Sequence, residues 1–204
     1  MDSTTYGINQ KTSTESNNMT RLEKEKEKGF DDSPTLSIEL LFGEVNDENA
    51  EDICRWILAC NFGQNKPQMM NLIINSEGGS LTSAFSIIDC MNSSIIPIRT
   101  IGLGQICSAG LMIFLAGTKG ERILTPNTCI LSHQYHYGSS GKHHELVAIQ
   151  KEFGFTFERQ LNHYVKRTGL KAADVKKYLL PPEDVFLNAE EALKYGICDK
   201  VALI

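Results

Sequence analysis

Three stretches of the chain combine residue types that could do nucleophilic chemistry. Asn75-Ser76-Glu77-Gly78-Gly79 ends a short apolar run, Met69 to Ile74. Its two glycines leave backbone N–H groups unobstructed, which suits an anion hole and equally a tight turn that needs positive φ. It lacks the lysine of a GxxxxGK[ST] phosphate loop. Gly104-Gln105-Ile106-Cys107-Ser108-Ala109-Gly110 sets Ser108 between a strand pattern and an apolar helix pattern. A serine there is either a helix N-cap or a nucleophile backed by the free N–H groups and positive end of the helix, which favour a developing oxyanion. Ile106 stands where a G-x-S-x-G elbow has its first glycine. His133 closes the apolar run Cys129 to Leu131, and a neutral imidazole there could take a hydroxyl proton. His136 is its rival. His143, His144 and His163 fall in or beside a long helical pattern and read as surface residues.

These residues need a frame, and the pattern supplies one. Leu36 to Phe42 alternates as a strand and stops at Gly43. Asn49 to Asn61 sets Ile53, Trp56, Ile57 and Cys60 on one helical face. Ser80 caps a helix bearing Leu81, Ala84, Phe85, Ile88 and Met91. Ile95 to Gly102 is a strand, Ser108 to Ala116 a helix closed by Gly117, and Thr128 to Leu131 a strand. A long helix, about His144 to Thr168, carries Leu146, Ile149, Phe153, Phe157, Leu161 and Tyr164 on one side and ends at Gly169. Asn188 and Glu191 form a capping-box start for a last helix that Gly196 ends. Alternating strands and helices predict an α/β fold with a mostly parallel sheet.

Composition narrows the function. The chain has 204 residues, enough for one domain and a tail. Met1 to Ser33 is too polar to bury a core and reads as a disordered N-terminal tail, so the folded domain spans 34–204. A net charge of -5 without a basic stripe argues against nucleic-acid binding. No apolar run approaches the ~20 residues of a membrane span, and the start lacks a signal-peptide pattern. Six scattered cysteines without CxxC or Cys/His spacing read as small buried thiols in a reducing, cytoplasmic compartment, with no metal and no cofactor.

Together the motifs resemble those of the proteolytic subunit of the Clp protease, the ClpP family of serine peptidases. Asn75 to Ser80 is similar to that family's N-S-P-G-G loop, and Gly104 to Gly110 to its G-x-A-A-S-M-G turn. Leu131-Ser132-His133-Gln134 resembles its M-I-H-Q segment. Asp184 to Ala192, running on to Tyr195-Gly196-Ile197-Cys198-Asp199, resembles its D-x-F-x-[ST]-A-x-E-A…YG-[LI]-x-D tail. The resemblance covers about residues 36 to 203.

That resemblance implies a crotonase-like α/β unit with a long protruding handle helix, and a triad of Ser108, His133 and Asp184. Ser108 would attack the peptide carbonyl, His133 would carry the proton, and Asp184 would orient His133. The N–H groups of Gly79 and Ala109 would form the oxyanion hole, with Gly78 shaping the loop. Asp184 could instead cap the helix that follows. The family pattern further implies stacked heptameric rings, a homo-oligomeric tetradecamer, fed with unfolded polypeptide by an AAA+ unfoldase such as ClpX or ClpA. Four features depart from the pattern: Glu77 replaces the loop proline, Ile106-Cys107 two alanines, Tyr135 to Ser140 a proline and a Gly-Gly run, and the tail lacks the axial-loop sequence. A silent structural ring subunit, and an acyl-CoA enzyme of the broader crotonase fold, are the alternatives.

Overall fold

A computed structural model describes residues 37–204. The expected tail, Met1 to Ser33, lies outside the described residues. The described chain runs β1 (Ile38–Val45), α1 (Asp47–Phe62), β2 (Met70–Gly79), α2 (Leu81–Ser93), β3 (Ile98–Cys107), α3 (Ala109–Leu115), β4 (Arg122–Leu124), β5 (Cys129–Ser132), α4 (His143–Thr168), α5 (Ala172–Tyr178), β6 (Val185–Leu187), α6 (Ala189–Lys194) and β7 (Lys200–Val201). The sheet is parallel along β1-β2-β3-β4-β7, with β5 parallel to β3 and only β6 antiparallel, to β5. Helices flank it, as the alternation predicts. No helix among the described residues is long and apolar enough to cross a membrane.

Several boundaries move for local reasons. Gly43 does not end the first strand. At φ +83° it forms a bulge between Phe42 and Glu44, and β1 continues to Val45. Leu41 and Val45 are the residues β1 buries, while the alternating apolar row Ile38, Leu40 and Phe42 lies just over half exposed. Helix α1 begins at Asp47, before the expected Asn49. The Asn46 side chain accepts from the Asn49 N–H at 3.0 Å, and the Asn49 side chain accepts from the Asn46 N–H at 3.1 Å. Strand β3 starts at Ile98, after Pro97, which has no N–H to give a ladder.

Strand β3 is also longer than expected, because residues 104–107, read as a turn, are strand. Thr100 to Gly102 pair with β4, whereas Gln105 to Cys107 pair with β5. The strand therefore changes neighbour at Gly104, whose φ is +66°. A side chain there would put its Cβ 2.7 Å from Asn75 Oδ1, the atom that accepts the Gln105 N–H at 3.1 Å.

Helix α3 is buried along its whole length. Its last-turn carbonyls would be orphans. Thr100 Oγ1 donates to the Phe114 carbonyl at 2.9 Å, and His163 Nε2 lies 2.8 Å from the Met112 carbonyl. His163 is thus no surface residue. Burial pushes its imidazole down to about 4, so it serves as a neutral donor. The thiols also differ from expectation: Cys60, Cys107 and Cys198 are buried, Cys54 and Cys90 half-buried, and Cys129 exposed.

A buried ion pair joins β4 to the approach of β7. Arg122 donates from Nε to Asp199 Oδ2 at 2.8 Å and from Nη2 to Oδ1 at 2.5 Å, while Nη1 reaches the Arg167 carbonyl at 2.9 Å. Burial alone would raise the Asp199 carboxyl. The hydrogen bonds and charge of Arg122 outweigh it and hold the carboxyl below its ordinary value. Asp199→Ala leaves the guanidinium buried and unpaired and should cost ~3–5 kcal/mol in denaturant unfolding at pH 7. Because the folded value is depressed, this contribution is present above the ordinary carboxylate value of about 4 and fades as pH falls below it. The mutant and native curves should therefore converge in acid.

Candidate active site

Strand pairing brings distant residues to one place. Cys107 is the last residue of β3 and pairs with Leu131 of β5, and the next N–H, that of Ser108, donates to the Leu131 carbonyl at 2.9 Å. Ser132 ends β5 opposite Val185, which begins β6. His133 follows the last residue of β5 and Asp184 precedes the first residue of β6. Ser108, His133 and Asp184 consequently line one cavity of about 600 Å³, together with Gly79. Leu81, Phe85, Leu131, Tyr135 and Tyr137 supply its apolar and aromatic wall.

Ser108 sits at φ +54°, ψ -120°, the one non-glycine residue at positive φ among those described. It occupies the N-cap position of α3, yet its side chain makes no capping hydrogen bond. The N-cap alternative is therefore not realised, and the hydroxyl stays free at the cavity. Such a backbone costs ~1–3 kcal/mol and persists only where neighbours hold it. The holding is steric. A Cβ on Gly78 would lie 2.6 Å from Ser108 Cβ, and one on Gly110 would lie 2.9 Å from Ser76 Cβ. Ser76 Oγ accepts the Gly78 N–H at 3.1 Å. Ala109 opens α3, so its N–H has no intrahelical acceptor. Gly79, at φ +142°, lies so close to β1 that a Cβ would meet the Val45 carbonyl at 2.3 Å.

His133 is buried, whereas His136 is exposed. Both line the cavity, with ring centroids 5.0 Å apart. Helix α4 holds the main chain at His133. Gln160 Nε2 donates to the His133 carbonyl at 3.1 Å, and the preceding Ser132 Oγ donates to the Leu179 carbonyl at 2.6 Å and lies 3.0 Å from the Tyr164 hydroxyl. Burial pushes the Tyr164 phenol up to about 12, despite the Ser132 hydrogen bond, so it stays neutral. His133 Nδ1 is buried without a hydrogen-bond partner among the described residues, and Asp184 is exposed. Asp184 is not the cap of α6, a place taken by Asn188. Burial, then the neighbouring Cys129 and Glu77, push the Cys107 thiol up, so this neighbour of Ser108 is a poor nucleophile.

Gln160 escaped the sequence reading, and Tyr164 counted there only as apolar surface. The signal was present as Thr156, Gln160 and Tyr164, three residues with hydrogen-bonding groups spaced by four along the buried face of α4. The Clp protease family model matches residues 34–203. The chain belongs to the Clp protease family. Among the family's curated members, it is 33% identical over 163 residues to the ATP-dependent Clp protease proteolytic subunit 2 of Nocardia farcinica, covering 78% of this chain and 76% of that one. A chain of the Clp protease family with this wall of glycines should tolerate little at Gly78. Gly78→Ala must displace either β2 or the Ser108 turn, and the thermal midpoint should fall by several degrees in a melting curve, a loss of ~1–3 kcal/mol.

Proposed function

We propose that this chain is a serine endopeptidase, the proteolytic subunit of an ATP-dependent Clp-type protease. The observation that supports the reading is that Ser108, His133 and Asp184, each next to a strand end, line one cavity. Ser108 Oγ attacks the scissile carbonyl while His133 takes its proton. The Gly79 and Ala109 N–H groups receive the oxyanion. His133 then protonates the leaving amine, and water hydrolyses the acyl-enzyme by the same route. Asp184 orients His133 through the Nδ1 that lacks a hydrogen-bond partner among the described residues. Catalytic hydrogen bonds are often long or absent without substrate and tighten in the Michaelis complex.

Assembly into stacked rings is part of the proposal. The half-exposed row Ile38, Leu40 and Phe42, and the exposed Leu146, Val147 and Phe155 of the front of α4, support burial against other copies. In that assembly α4 is the handle between heptameric rings, in a cytoplasmic particle. Unfolded polypeptide arrives from a separate ATPase, consistent with the ATP-dependence of the Nocardia relative and with the absence of a phosphate loop in this sequence. A silent ring subunit is the second reading, favoured by the open link between His133 and Asp184.

Hydrolysis of a short unstructured fluorogenic peptide separates the two. Ser108→Ala and His133→Ala should each lower turnover on the order of 10⁶-fold, to background. His136→Ala should keep most of it. An assembled native ring without hydrolysis would leave the silent subunit.

A further inference from the structure

Four charged side chains line the cavity: Glu77, Glu152, Arg159 and Asp184. Two of them, Arg159 and Glu152, face each other. Arg159 lies 3.6 Å from Glu152 and spreads its guanidinium 4.7 Å over the Phe85 ring. Asp184 is exposed, with no hydrogen bond or ion pair among the described residues, and the peptidase reading already assigns it to His133. Glu77 is exposed and has neither a hydrogen bond nor an ion pair among the described residues. Burial alternates along the end of β2, with Ser76 and Gly78 inward and Glu77 and Gly79 open. Two strand residues span ~7 Å, so the Glu77 backbone stands about that far from the Gly79 N–H at the oxyanion position.

We propose that Glu77 makes the cavity select peptides with a cationic side chain, lysine or arginine, within a residue or two of the scissile bond. The inference rests on the peptidase reading of the same cavity. An uncompensated carboxylate there repels the oxyanion that the reaction must form, and a bound ammonium or guanidinium removes that penalty as well as gaining its own attraction. The aromatic and aliphatic wall of Phe85, Leu81, Tyr135 and Tyr137 suits the methylene stem of a long basic side chain. The proline that occupies this position in the N-S-P-G-G pattern carries no charge, so the preference belongs to this chain's own sequence.

Binding tests this apart from hydrolysis. Full-length Ser108→Ala protein is titrated with two fluorescent peptides that differ only in a lysine or an acetyl-lysine flanking the central bond. Acetylation keeps the stem and removes the charge. The lysine peptide should bind about fivefold more tightly, the scale of one partly exposed ion pair. The gap should close in Ser108→Ala/Glu77→Gln and shrink as salt rises. Equal affinities, no binding of either peptide, or a gap that survives Glu77→Gln overturns the proposal. A charge-dependent gap in a protein whose Ser108 form hydrolyses neither peptide would instead sink the peptidase reading and leave the selective cavity standing. An unchanged melting curve for Glu77→Gln checks that its isosteric amide leaves the fold intact.

Discussion

The site depends on a change of neighbour within one strand. Strand β3 pairs with β4 through Gly102 and with β5 from Gln105 onward. A strand has only two hydrogen-bonding edges, and β2 occupies the other one. Switching from β4 to β5 on a single edge requires the backbone to turn, and Gly104 at φ +66° provides it. Without that switch β5 would have no place beside the end of β3, and β6 none beside β5. Ser108, His133 and Asp184 would then sit on unconnected pieces of chain.

The packing beneath this fork explains how an unfavourable backbone at Ser108 persists. Helix α3 follows the turn at once and is buried along its length. Its apolar burial is worth ~1.5–3 kcal/mol per large side chain, far more than the strain of one residue. Its carbonyl end is met by Thr100 and His163, so the helix leaves few unsatisfied groups in the core. Gly78 and Gly110 let β2 approach the turn to within contact, and neither position accepts a side chain. Rigidity at Ser108 thus comes from close approach of backbone on both sides. Rigidity at His133 comes from polar contacts with α4 through Gln160 and Tyr164.

Helix α4 has two characters. Its second half carries the buried Thr156, Gln160, Leu161 and Tyr164, of which Gln160 and Tyr164 hold the main chain around His133. Its first half is exposed and carries Leu146 and Val147. One helix therefore links the support of the candidate site to an apolar surface, and the tilted contact of Tyr135 and the edge-on contact of Tyr137 with Phe153 tie the segment after His133 to the same helix. Contacts on the exposed half are mechanically close to the site through this shared element.

The sequence by itself determined the elements and their chemistry. Periodicity located β1, β2, β3, β5 and the long helix, since alternation and 3.6-residue spacing are local properties, but the two- and three-residue strands β4, β6 and β7 are too short to show a period. The glycine pair, the serine at a strand-to-helix turn and the histidine at a strand end were legible because each motif fits within a few residues. Tertiary structure decided what no local window contains. That residues 104–107 form strand follows from the edge offered by β5. That the apolar row of β1 is half exposed, while Leu41 and Val45 are buried, follows from what packs on each face of the strand. That His163 is a core donor and Gln160 a brace follows from the path of α4 across α3 and β5. That Ser108, His133 and Asp184 line one cavity is likewise a matter of pairing between strands far apart in the chain, and register is set by long-range pairing.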